Sequence, residues 1–142
     1  MAGLDNYVKR WRTALHVTVL AVIVAVLGLA ITPVAHAAAA TATLSVSHAW
    51  QTGFIAHFTV TNSSTVPLTD WRLEFDLPVG ESVSHTWNST LAQSGTHYVL
   101  TPANWNRVIA PGGSATGGLR GVLTGAYSPP VNCVLNGQYP CT

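Results

Sequence analysis

The stretch Trp71-Arg-Leu-Glu-Phe-Asp-Leu77 alternates without a break, with Trp71, Leu73, Phe75 and Leu77 on one side and Arg72, Glu74 and Asp76 on the other. A period of two is what a strand shows when one face is buried and the other is wet. It sends four large apolar side chains, Trp71 among them, into a core. Upstream, Phe54, Ala56, Phe58 and Val60 alternate in the same way with Ile55, His57, Thr59 and Thr61. Further strands are expected over residues 83–87, 97–101, 115–123 and 131–135. Turns between them come from Gln51-Thr-Gly53, Asn62-Ser-Ser-Thr-Val-Pro67, Pro78-Val-Gly80, Ser94-Gly95 and Pro111-Gly-Gly113. No segment from Thr43 onward holds a helical period. Many short strands at near-regular spacing predict an all-β protein, an antiparallel β-sandwich or jelly roll.

The N-terminus follows a different logic. Lys9, Arg10 and Arg12 precede an apolar run over residues 14–31, which Thr32-Pro33 breaks before Ala35-His36-Ala37. A basic n-region, an apolar stretch and small residues at the cleavage positions describe a signal-peptide helix over residues 1–37. A retained membrane anchor is the competing reading, because 18 residues just span a bilayer. The Ala-x-Ala ending and the lack of a basic flank after it favour cleavage, and with it a secreted, extracellular or cell-surface protein with no membrane segment. Residues 38–42 then form a short leader, and residues 43–142 a single domain, expected to be a monomer.

From Ala38 onward the chain has three arginines (Arg72, Arg107 and Arg120), no lysine and four acids (Asp70, Glu74, Asp76 and Glu81), a formal charge of −1. Three cations cannot neutralise a row of phosphates, so nucleic acid is not an expected partner. So few charges suit a neutral polar ligand. Both cysteines, Cys133 and Cys141, lie in the exported part, where disulfides persist. The segment between them carries Asn136-Gly137, a strong hairpin signal. One internal bridge is all that two cysteines permit. Closing nine residues stabilises by about 2.5 kcal/mol in the chain-entropy account, so it is a local staple.

Three tryptophans do not follow the core pattern. Trp50 and Trp87 each end a strand just before polar residues, and parity alone leaves them undecided. Trp105 stands in the polar loop Ala103-Asn-Trp-Asn106, where an indole has no obvious buried face.

The order of landmarks along the chain resembles one family. Trp50-Gln-Thr-Gly-Phe54, Phe58-Thr-Val-Thr-Asn62, Trp71 ahead of Leu-x-Phe, Pro78-Val-Gly80, Trp87-Asn88, Trp105-Asn106, Ile109-Ala-Pro-Gly-Gly-Ser114 and Leu135-Asn-Gly137 follow one another as in the family 2 carbohydrate-binding modules. These are cellulose-binding domains appended to bacterial cellulases, xylanases and chitinases. The resemblance implies an immunoglobulin-like antiparallel sandwich. It also implies a carbohydrate-binding row made of Trp50, Trp87 and Trp105, with Trp71 structural. A flat indole covers the apolar C–H face of a pyranose while the hydroxyls stay wet at its rim. The implied partner is an insoluble polysaccharide, cellulose or chitin, and no cofactor is implied. Two departures stand out. Thr41 occupies the place of a first-strand cysteine that the family bridges to the C-terminus, leaving Cys141 to pair with Cys133. His48, His57, His85, Thr116 and Arg120 stand where the family lines its face with asparagine and glutamine, which makes them candidate polar sugar contacts.

Glycoside hydrolysis needs two carboxylates at a set separation. Glu74 and Asp76, two apart on one strand face, would have Cα atoms about 6.7 Å apart. That spacing supports a small chitinase- or cellulase-like hydrolase as the alternative, but alternating charges opposite a core face are equally an ordinary solvated sheet surface. No catalytic residue is therefore assigned. His48 and His57 approach across a hairpin but lack a third ligand, so no metal is assigned either. A third reading is a secreted adhesin-like protein that uses its aromatic face on host glycans or glycoproteins. Asn62-Ser-Ser64 and Asn88-Ser-Thr90 match the glycosylation pattern by residue type alone.

Overall fold

In a computed structural model of the chain, residues 39–142 are described. The signal peptide expected over residues 1–37, and Ala38 of the leader, lie outside them. The described residues hold eleven strands: β1 Ala40–Trp50, β2 Gly53–Asn62, β3 Leu68–Thr69, β4 Leu73–Asp76, β5 Glu81–Trp87, β6 Ser89–Ser94, β7 His97–Pro102, β8 Val108–Ile109, β9 Ser114–Leu123, β10 Val131–Leu135 and β11 Tyr139–Pro140. They form a four-stranded sheet ordered β1-β2-β9-β5, a five-stranded sheet ordered β11-β10-β4-β7-β6, and the small pair β3-β8. Every pairing is antiparallel. The all-β sandwich is the architecture that the alternation predicts. Among the described residues no helix is long and apolar enough to cross a membrane.

The core lies between the two large sheets. Phe54, Phe58 and Val60 of β2 face Leu73 and Phe75 of β4 and Tyr98 and Leu100 of β7, all in one buried cluster. Trp71 stands just ahead of β4, fully buried, with its ring 5.5 Å from that of Phe58. Large rings meeting at an angle fill such a space well and add to the burial itself.

The first strand starts earlier than the leader over residues 38–42 allows. Ala40 and Ala42 are buried and pair with Asn62 and Val60. Alanines carry too little apolar surface to mark a strand in the sequence, yet their small size lets β1 pack closely. Asn62, inside a stretch read as a turn, is fully buried and clamps two loops. Its Nδ2 donates to the carbonyls of Val66 (2.7 Å) and Ile109 (3.0 Å).

At the other end, Asn136 and Gly137 take φ values of 54° and 66°. Paired positive φ values are what a tight hairpin between twisted strands requires. Gln138 N–H closes the turn onto Leu135 O at 3.0 Å. The Cys133–Cys141 disulfide spans this hairpin, with Cα atoms 5.3 Å apart. Beyond it, Thr142 N–H donates to Ala42 O at 3.0 Å, so the C-terminus lies against the first strand without a covalent link to it.

Candidate functional site

Strand register sets out the exposed face of the four-stranded sheet row by row. Trp50 of β1 pairs with Gly53 of β2, and Gly53 with Val122 of β9. The next outward row is His48, Ile55, Arg120 and His85, the last on β5. After it come Ser45, His57, Gly118 and Trp87. Trp50 and Trp87 therefore share one face and stand at diagonal corners of it. Three strand spacings of about 4.8 Å and four residues of about 3.3 Å place them roughly 20 Å apart.

Both indoles lie over glycines. A Cβ on Gly53 would come within 2.8 Å of the Trp50 ring, and one on Gly118 would collide with the Trp87 ring. Glycine at these two rows lets a large ring lie down on the sheet. That explains why Trp50 and Trp87 are only half-buried although they project outward. Trp105 differs, with 75% of its surface exposed. The three indoles are thus unequal: two rest on the sheet and one stands in solvent.

The Trp105 loop is held through its neighbour. Trp71 Nε1–H donates to Asn106 O at 2.9 Å, and Asn106 Nδ2 donates to Asn88 O at 2.7 Å, next to Trp87. Asn88 adopts φ 58°, and its Nδ2 donates to Thr116 O at 3.0 Å on β9. Asp70 and Arg107 close the base, with a side-chain contact of 3.0 Å and a backbone bond of 3.0 Å. Core Trp71 and surface Trp105 and Trp87 are therefore linked by two asparagines. Neither asparagine shows this link in the sequence, where each is only the second residue of a Trp-Asn pair.

The polar candidates also lie on this face. His48, His57, His85, Thr116 and Arg120 are all exposed. His48 stacks beside Trp50 with ring centres 5.7 Å apart, and the Arg120 guanidinium carbon is 6.0 Å from the Trp50 ring. His57 meets Trp87 edge-on at 5.7 Å. The approach of His48 to His57 across the hairpin does not make a ligand pair, because each ring packs against a different tryptophan. Among the described residues no cluster of three potential metal ligands occurs.

Glu74 and Asp76 face outward from the opposite sheet, and both are engaged. Arg72 pairs with Glu74, and His97 Nδ1 lies 2.7 Å from Asp76 Oδ1. Asn132 Nδ2 donates to Asp76 Oδ2 at 2.8 Å. The bond from Asn132 first, and that from His97 second, hold the Asp76 carboxyl below its ordinary value. A glycosidic general acid needs the reverse, a raised value. An open cavity of about 570 Å³ lies beside Trp50, walled by Gln51, Thr52, Leu123, Thr124 and Tyr127, and no carboxylate lines it. Of the two glycosylation patterns, Asn62 is sealed in the core and the Asn88 amide is already bonded to β9.

A family model described as a cellulose binding domain matches residues 40–141, the extent of the sandwich. Cellulose/chitin binding proteins of Mycobacterium bovis and Mycobacterium tuberculosis are 80% identical to this chain over all 142 residues, which cover the whole of each relative. Chitinase C of Streptomyces lividans is 38% identical over 124 residues, covering 87% of this chain but only 19% of the enzyme. The solved chitin-binding domain of Chi18aC from Streptomyces coelicolor superposes with a TM-score of 0.60 at 38% identity, covering 72% of this chain and 96% of that domain. With its sandwich matched from end to end, this chain belongs to the cellulose binding domain family.

Proposed function

We propose that this chain is a secreted, non-catalytic module that adsorbs to insoluble β-1,4-glycans, cellulose or chitin, through Trp50, Trp87 and Trp105. The observation that carries this reading is the pair of indoles laid on Gly53 and Gly118 on one sheet face, with Trp105 exposed in a loop tied through Asn106 to Asn88, next to Trp87. Flat aromatic area at low entropic cost is what a sugar ring's C–H face recognises. The names of the mycobacterial relatives support the same ligands. The module works as a monomer outside the cell after removal of residues 1–37, free in the medium or held at the cell surface.

Depletion assays on insoluble cellulose, chitin and xylan test this reading. Replacing any one of the three tryptophans by alanine should weaken adsorption by about 1–3 kcal/mol, as for aromatic hot spots, with little change in fold stability. Adsorption that survives the triple alanine variant would overturn the reading. So would release of reducing sugar by the purified chain, which would promote the hydrolase alternative. A glycan array run in parallel separates polysaccharide binding from attachment to host glycans.

A further inference from the structure

Charge is distributed very unevenly over this sandwich. The described residues contain four acidic side chains. Asp70 is paired with Arg107 at 3.0 Å, and Glu74 and Asp76 stand on the outer face of the five-stranded sheet. Glu81, although on β5, is buried on the inner side, where its Oε1 accepts from Ser128 N–H. The outer face of the four-stranded sheet is therefore free of acids. β1 contributes Ser45, His48 and Trp50 to its central rows, and β2 contributes Ile55 and His57. β9 adds Arg120 and β5 adds His85.

Arg120 occupies the middle of this face. It is directly opposite His85 across one strand pair, with Ile55 between it and His48. Arg72 and Arg107 each have a carboxylate partner, whereas among the described residues Arg120 has only the Trp50 ring at 6.0 Å. A chain running from Trp50 to Trp87 crosses Ile55 and Arg120 and passes His48, His57 and His85. Arg120 gives this path a formal charge of +1, with no carboxylate among the described residues paired to it.

We infer that this face selects β-1,4-glycans bearing acidic substituents. The inference rests on the reading of the face as a polysaccharide platform and adds the charge of its ligand. Carboxylates and sulfate half-esters share the required chemistry, a fixed anion on a flat sugar chain. The Arg120 guanidinium supplies charged donors beside the rings that cover the sugar. One exposed ion pair gives about a two- to fivefold gain.

The test compares adsorption isotherms of the full chain on unmodified, carboxylated and sulfated cellulose in low and high salt. About two- to fivefold tighter adsorption to both anionic celluloses in low salt is expected, abolished by high salt. Arg120→Gln should bring the ratio of anionic to unmodified adsorption close to one. Arg72→Gln, on the opposite sheet, should leave the ratio as it is. Equal adsorption to anionic and unmodified cellulose in low salt overturns the inference while leaving the platform reading intact, and so does a ratio that survives Arg120→Gln. Failure to adsorb to any of the three materials overturns both.

Discussion

On the five-stranded sheet Arg72 meets Glu74, and Asp76 is held by His97 and Asn132; on the four-stranded sheet Arg120 faces a ring, and His48, His57 and His85 face no acid. Both outer surfaces come from the same alternation of apolar and polar residues. The first has its polar groups satisfied by one another, so a ligand gains little by displacing those partners. The second presents flat apolar area beside donors that still have capacity. Indoles lying on Gly53 and Gly118 sharpen the contrast. A face becomes a binding platform by what it leaves unpaired, provided that the core beneath holds it rigid.

Perturbing one sheet at a time tests how separate these properties are. The largest effect is expected from Trp71→Ala, which empties the shared core and should cost about 3–5 kcal/mol in denaturant unfolding. Trp71→Phe sharpens the comparison, because it keeps most of the volume but loses the bond to Asn106 O. Its adsorption should fall through a looser Trp105 loop. If adsorption is unchanged in a folded Trp71→Phe variant, the loop is held without the core. Next in size, reduction of Cys133–Cys141 should cost about 2.5 kcal/mol and raise hydrogen exchange in β10 and β11, with adsorption retained. Loss of adsorption on reduction would show that the two sheets are coupled.

Gly118→Ala acts on the proposed binding face itself. Its new methyl group collides with the Trp87 ring and with the backbone of β2, an overpacking expected to cost about 1–3 kcal/mol. Adsorption should weaken as the ring lifts, and an unchanged isotherm would mean that Trp87 does not stack on sugar. The smallest effect concerns Asp76. A carboxyl held low in the folded state adds stability above its unfolded value near 3.9, and that stability is lost as pH falls through the folded value. Asn132→Ala should raise the Asp76 titration midpoint, followed by carboxyl NMR, and flatten the acid limb of the stability curve. Adsorption should not change, and if it does the two faces communicate.

Much of this was legible in the chain. Alternation over residues 71–77 and 54–61 pointed to a sandwich with Trp71 in its core, and the buried cluster agrees. The cysteine spacing and Asn136-Gly137 pointed to a stapled hairpin, which is present. β6 was missed, since Ser89-Thr-Leu-Ala-Gln-Ser94 at a sheet edge has almost no apolar alternation to read. The parts played by Asn88 and Asn106 were missed because a polar side chain shows no sign of its partner until the loops meet.

The order of residues therefore sets the local pattern: which residues of each strand face inward, where the turns fall, and which family's landmarks the chain follows. These depend on a period of two and on the chemistry of single residues, and both are present before any strand has found its neighbour. Folding adds that Trp87 lies on Gly118, that His85 stands opposite Arg120, and that Glu74 and Asp76 lie on the other sheet. Such neighbours are set by register between strands more than thirty residues apart. A slip of one residue reverses every side chain's face, and it is the fit of the whole buried core that selects the register.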